Sequence, residues 1–166
     1  ITNALLDLVN TPSLIEQIRQ KFQQLLSELN LDSGLLNQLF AQLLDDLEHD
    51  DLTTAQLADQ IASYGERWSV RLISRFFRSQ GLPAVEVDAR DFVITDDQAT
   101  NANYQPATLS LTKQKMLACF QQRHVPIVTG FIGRSLFGLT TTLGRGGSDL
   151  TATLIGQSLS ADLIEI

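Results

Sequence analysis

The residues best suited to chemistry lie together in Thr140-Thr141-Thr142-Leu143-Gly144-Arg145-Gly146-Gly147-Ser148-Asp149. Glycines at 144, 146 and 147 admit positive φ and let the backbone come close to a ligand. An apolar, small-residue segment follows, with Leu150, Ala152, Leu154, Ile155 and Leu159. The pattern predicts a helix capped by Ser148 or Asp149 and ending near Ser160. The loop N–H groups and the positive end of that helix then face one concavity that favours an anion. Arg145 adds a planar fork that suits a carboxylate or a phosphate.

A glycine turn ahead of a helix is common by itself. The whole string is more specific, and it resembles the signature of the aspartokinases within the amino-acid kinase superfamily. Val128-Thr129-Gly130-Phe131-Ile132-Gly133 resembles the strand and glycine turn that precede that loop. Ile1-Thr2-Asn3 is similar to the end of the family's small-residue loop, and Ser63-Tyr64-Gly65-Glu66 to its Ser-x-Gly-Glu. Thr95-Asp96-Asp97 with Asn101-Ala102 matches a polar loop of the family. The resemblance covers nearly the whole chain. Over residues 11–50 only the helical character matches.

The resemblance implies transfer of the ATP γ-phosphoryl group to the side-chain carboxylate of L-aspartate with Mg²⁺, the first step toward lysine, threonine and methionine. Such a reaction needs positioning and charge neutralisation more than covalent help. By the resemblance, Thr2 contacts the substrate aspartate, Glu66 faces its ammonium, and Asp149 orients catalytic lysines. A base is not needed, because an aspartate carboxylate is already ionised. Arg145 suits the α-carboxylate, Gly146 and Gly147 permit close approach, and Ser148 can donate to a carboxylate oxygen. No residue is assigned to a metal. The acidic run Asp45, Asp46, Glu48, Asp50 and Asp51 with His49 has no calcium-loop spacing and reads as a solvated helix end.

The only lysines are Lys21, Lys113 and Lys115, outside every matched motif. The chain starts at Ile1 and stops inside an apolar run at Ile166. The expectation is therefore the central part, residues 1–166, of one amino-acid kinase catalytic domain. The N-terminal phosphate-binding strand and the C-terminal nucleotide-binding and regulatory parts would lie outside it, and this piece alone would be inactive. Two other readings stand beside it. One is a different amino-acid kinase, acting on glutamate, acetylglutamate or a nucleotide. The other is a non-catalytic binding module on a kinase-like fold.

These residues need elements to position them. Leu14, Ile18, Phe22, Leu25 and Leu29 recur at helical spacing, then Leu35, Leu39, Leu43 and Leu47, with a turn at residues 30–34. They predict an antiparallel helical hairpin. Residues 1–9 form a shorter helical pattern, broken by Thr11-Pro12-Ser13. Thr53 or Thr54 starts a long helix with Leu57, Ile61, Tyr64, Trp68 and Leu72 on one stripe, stopped by Gly81. Residues 84–88 alternate as a strand, 96–106 form a loop, and Leu111 to Phe120 a helix. Val125 to Thr129 reads as a buried parallel strand and Asp162 to Ile166 as the next strand. The predicted class is α/β, a three-layer α/β/α sandwich with a mainly parallel sheet, incomplete at both ends, carrying an inserted helical hairpin.

The net charge of −7 argues against a nucleic-acid binder, and no apolar run is long enough to span a bilayer. One cysteine, Cys119, reads as a buried thiol and fits a reducing, cytoplasmic compartment. With strands missing at both cut ends, exposed sheet edges make a homo-oligomer the expected assembly.

Overall fold

The computed structural model describes residues 2–8, 11–47 and 51–166, without the side chains of residues 2–4 and 12. The opening helix α1 is Thr2–Leu8. After a short 3-10 turn, α2 (Ile15–Glu28) and α3 (Gly34–Leu47) form the hairpin. The two helices meet where Arg19 donates to Asn37 at 2.6 Å and where the Phe22 and Phe40 rings pack edge to face at 6.2 Å.

α4 (Thr54–Ser79) starts at a capping box in which Thr53 and Gln56 satisfy each other's backbone amides. Gly81, at φ 83°, ends the helix where a left-handed residue is required. The predicted stripe buries Ile61, Tyr64, Trp68 and Leu72 against Phe22, Phe40 and the hairpin leucines. This helical core holds no strand residue.

Strand β1 (Ala84–Val87) pairs in parallel with β3 (Val125–Val128), Ala84 opposite Val125. A second small sheet has the order β2-β4-β5: β2 (Ile94–Thr95) runs parallel to β4 (Ile132–Ser135), and β5 (Thr140–Thr142) antiparallel to it. Two of the three pairings are parallel, in accord with an α/β fold. Alternation along β1 defines two covered faces. Glu86 turns to α4, bound by Arg71 and Arg78 at 3.3 and 3.1 Å. Val85 and Val87 turn to α5 (Ala107–Gln121) and α6 (Gly147–Leu159), where Met116, Ile155 and Leu159 close a second core.

Four expectations need correction. Residues 162–166 form no strand; they are irregular and exposed, because no described strand lies beside them to take their hydrogen bonds. β3 is parallel but not buried: Val125 is 45% exposed, since β1 covers only one of its edges. Asp46 is not a solvated helix end. It is 8% exposed and accepts hydrogen bonds from Tyr64 Oη and from Gln60 Nε2 at 2.6 Å, tying α3 to α4. Cys119 is only half-buried, at the rim of the second core. Glu48, His49 and Asp50 lie outside the described residues.

Candidate active site

The glycine loop is built from β5 outward. Thr141 Oγ1 shares a 2.7 Å hydrogen bond with Thr95 Oγ1, and Thr140 accepts from Arg90 at 3.1 Å, so β5 is held on both sides. The turn after it needs glycine at 144. There φ is 73°, and an added Cβ would lie 2.2 Å from Asn101 Oδ1. The cap of α6 is Gly146, in the left-handed conformation at φ 75° with no side-chain hydrogen bond, in place of Ser148 or Asp149. A left-handed glycine turns the chain by backbone geometry alone, which leaves both side chains outside the cap. Ser148 and Asp149 are exposed in the first turn of α6, and Gly147 is buried as its first residue.

The Gly130 turn sits directly against this helix start. A Cβ on Gly130 would come within 3.1 Å of Ser148 Cα. Phe131, at φ 68°, is held there by bonds in both directions: its N–H donates to Thr151 Oγ1 at 3.1 Å and its carbonyl accepts from Leu143 N at 2.8 Å.

Glu66 comes from α4 into the same space. A cavity of about 510 Å³ is bordered by Glu66, Gly130, Ser148 and Thr151, with Met116, Pro126 and Val128 forming its apolar wall. Glu66 is half-buried, and Arg67 and Arg71 are engaged elsewhere, with Gln42 and Glu86. Burial raises the Glu66 carboxyl above its ordinary value, opposed by the Gly130 backbone N–H, which favours the charged form.

The structure therefore brings Glu66 and Ser148 together. Arg145 is exposed on the loop three residues before Ser148 and is not among the residues bordering that cavity. Gly146, Gly147 and Asp149 stand at the start of α6, beside it in sequence. Thr2 is the first residue of α1, and its side chain lies outside the described residues. Among the described residues, no three His, Cys, Asp or Glu side chains group closely enough to hold a metal ion.

Sequence reasoning missed Asp59. It is 2% exposed on α4 and accepts from Thr142 Oγ1 at 2.6 Å and from Thr100 N at 2.8 Å. It also missed the ion pair beneath β5, where Arg90 grips Asp88 at 2.6 Å. Asp59 lies two residues from both Leu57 and Ile61, off the apolar stripe of α4, so the periodicity carried no signal for it. Nothing local foretold its partners, which are 41 and 83 residues away.

The chain is α/β, with a glycine loop that opens a helix beside a half-buried carboxylate. Comparison gives that class its family: residues 14–166 match the Amino acid kinase family, and the chain belongs to it. Its relatives there are aspartokinases. Aspartokinase 1, chloroplastic, of Arabidopsis thaliana is 35% identical over 95% of this chain and 29% of its own length. Bifunctional aspartokinase/homoserine dehydrogenase 2 of Escherichia coli is 33% identical over 99% of this chain and 22% of its own. The crystal structure of E. coli aspartokinase III in complex with aspartate and ADP superposes with a TM-score of 0.82 at 28% identity, over 96% of this chain and 38% of that one. The chain spans between 21% and 35% of the length of the curated relatives it matches.

Proposed function

We propose that this chain supplies the amino-acid side of an aspartate kinase, in a protein that converts ATP and L-aspartate to ADP and 4-phospho-L-aspartate. The observation that carries the reading is the cavity that Glu66, Gly130 and Ser148 share at the start of α6. Glu66 takes the α-ammonium, Arg145 grips the α-carboxylate by its fork, and Ser148 and Thr2 donate to carboxylate oxygens. The side-chain carboxylate is thereby held toward the γ-phosphorus. Its oxygen forms the new P–O bond as the bond to the ADP oxygen breaks. Bringing the reactants together in this way accounts for much of such a rate. The apolar wall of Met116, Pro126 and Val128 keeps water from competing.

Asp149, exposed in the first turn of α6, is assigned to orient cations that meet the phosphates. Mg²⁺ bound with ATP would neutralise charge on the phosphate oxygens, and no residue of this chain is assigned to hold it. ATP is the second substrate; the crystal structure of E. coli aspartokinase III in complex with aspartate and ADP supports both. Supply of the lysine, threonine and methionine route, a homo-oligomeric assembly and a cytoplasmic setting belong to the same proposal. Because Arabidopsis relatives are named chloroplastic, cell fractionation decides the compartment. Among the described residues no helix is long and apolar enough to cross a membrane.

The test is ADP release by the complete reading frame that contains this chain, with the acyl phosphate trapped by hydroxylamine. L-Aspartate should drive release and yield a hydroxamate. Release driven by glutamate or acetylglutamate and not by aspartate would overturn the reading.

A further inference from the structure

Asp59 holds a carboxylate at 2% exposure, and among the described residues no cation is one of its hydrogen-bond partners. Burial alone raises its pKa, and the hydrogen bonds from Thr142 and Thr100 work against that rise. A buried acid without a counter-ion must be held by its donors. Here one donor, Thr142, stands at the base of the glycine loop, and the other, Thr100, in the turn packed against Gly144. Thr142 is the last residue of β5, directly before Leu143-Gly144-Arg145, and its carbonyl accepts from Ala102 N at 2.9 Å. Thr100 is held at φ 68°, and its neighbour Asn101 fills the space beside Gly144. Asp59 thus pins both strands of chain that frame the loop.

The same helix carries Glu66 seven residues on. Two helical turns separate the residues, which places them on one face roughly 10 Å apart along the axis. We infer that Asp59 is a positioning residue for the amino-acid substrate: it fixes the 144–148 loop to α4 and so sets the gap between Glu66 and the residues opposite. It acts through Thr142 and Thr100 and touches no substrate itself. The inference rests on the aspartate kinase reading above.

The experiment is steady-state kinetics of the complete reading frame, with folding checked by circular dichroism. Asp59→Ala and Thr142→Val should each raise KM for aspartate about tenfold or more, with KM for ATP within about twofold, since displacing a positioned group by an ångström costs up to about 10²-fold. The double variant should be no worse than Asp59→Ala alone, because that substitution already removes the Thr142 contact. Asp59→Asn should stay near wild type: its amide oxygen accepts from Thr100 and its NH₂ donates to the Thr142 hydroxyl. Should Asp59→Ala fail to fold, Thr142→Val against Thr142→Ser decides, the serine keeping the hydroxyl. Wild-type aspartate KM in Thr142→Val, equal losses for both substrates, or additive effects in the double variant would overturn the inference. An aspartate-dependent wild-type enzyme in those same assays would leave the kinase reading intact.

Discussion

In the proposed reading Glu66 and Arg145 take opposite ends of one substrate, and their environments differ. Arg145 lies exposed on a glycine loop, so its part is to close on a carboxylate by a bidentate pair. In the complete protein, Arg145→Ala should weaken kcat/KM for aspartate by about 2–4 kcal/mol, the usual loss when one partner of a desolvated charge pair is removed. Arg145→Lys should restore only part, because an ammonium has no planar fork. A change confined to the ATP dependence would move Arg145 to the nucleotide. Glu66 has a carboxyl raised by burial. It is ionised above its folded pKa, and its grip on an ammonium is lost as pH falls through that value, starting above the ordinary 4.5. The aspartate KM of wild type should therefore climb more steeply on acidification than that of Glu66→Gln. Raising a carboxyl pKa on folding makes its charge a burden on the folded state at neutral pH. Glu66→Gln should accordingly lose aspartate affinity while its melting temperature holds or rises.

The glycine loop separates two effects that glycine replacement usually mixes. Gly144 and Gly138 both have positive φ, at 73° and 87°. Adding a Cβ costs about 1–2 kcal/mol of backbone strain at either position. Gly138 has open space around it, at the turn between β4 and β5, whereas Gly144 is pressed against Asn101. Both alanine variants should lower stability in urea unfolding, Gly144→Ala by more, because Asn101 must also give way. Only Gly144→Ala should also raise KM for aspartate, since only there must the loop shift away from Asn101. Equal kinetics in the two variants would show that the 100–101 turn does not brace the loop.

On the scale of the molecule, α4 buries one stripe in the helical core and holds Glu86 of β1 through Arg71 and Arg78, while Arg90 joins Asp88 to Thr140 of β5. Burial would raise Asp88, but the hydrogen bonds and charge of Arg90 hold it below its ordinary 3.8. A depressed carboxyl pKa contributes stability that is present above the unfolded value and lost as pH falls through the folded one. Asp88→Asn should lower the melting temperature at neutral pH and flatten its further decline below about pH 4. An unchanged acid limb would show that the pair does not matter to global stability. The same scale governs activity. Lys21 lies on α2, Lys113 and Lys115 on α5, and none borders the cavity of Glu66. Each missing stabiliser of the transferring phosphoryl group typically costs about 10²–10³ in rate. Residues 1–166 alone should therefore show no measurable aspartate-dependent ADP release beside the complete reading frame. Comparable turnover by the piece would give that role to Arg145 or Asp149.

What the sequence determined by itself was local or held in one unbroken string. The stripes through Ile18, Leu39, Ile61 and Trp68 were legible because helical hydrogen bonds close within four residues and their period is written in the chain. The 140–149 string was legible because its glycines and its arginine stand side by side. Tertiary structure decided the rest. Residues 162–166 have strand-like composition and form no strand, because a strand exists only where another supplies its partners. Gly146 took the cap from Ser148 because the turn geometry, not the side chain, ends the loop. Asp46 and Asp59 look like surface acids in sequence and are core anchors in space. Their burial depends on donors that other elements bring to them: Tyr64 from α4 in one case, Thr142 and Thr100 in the other. A polar residue is buried only when distant chain supplies its hydrogen bonds, and that distance is what the periodicity of a sequence does not record.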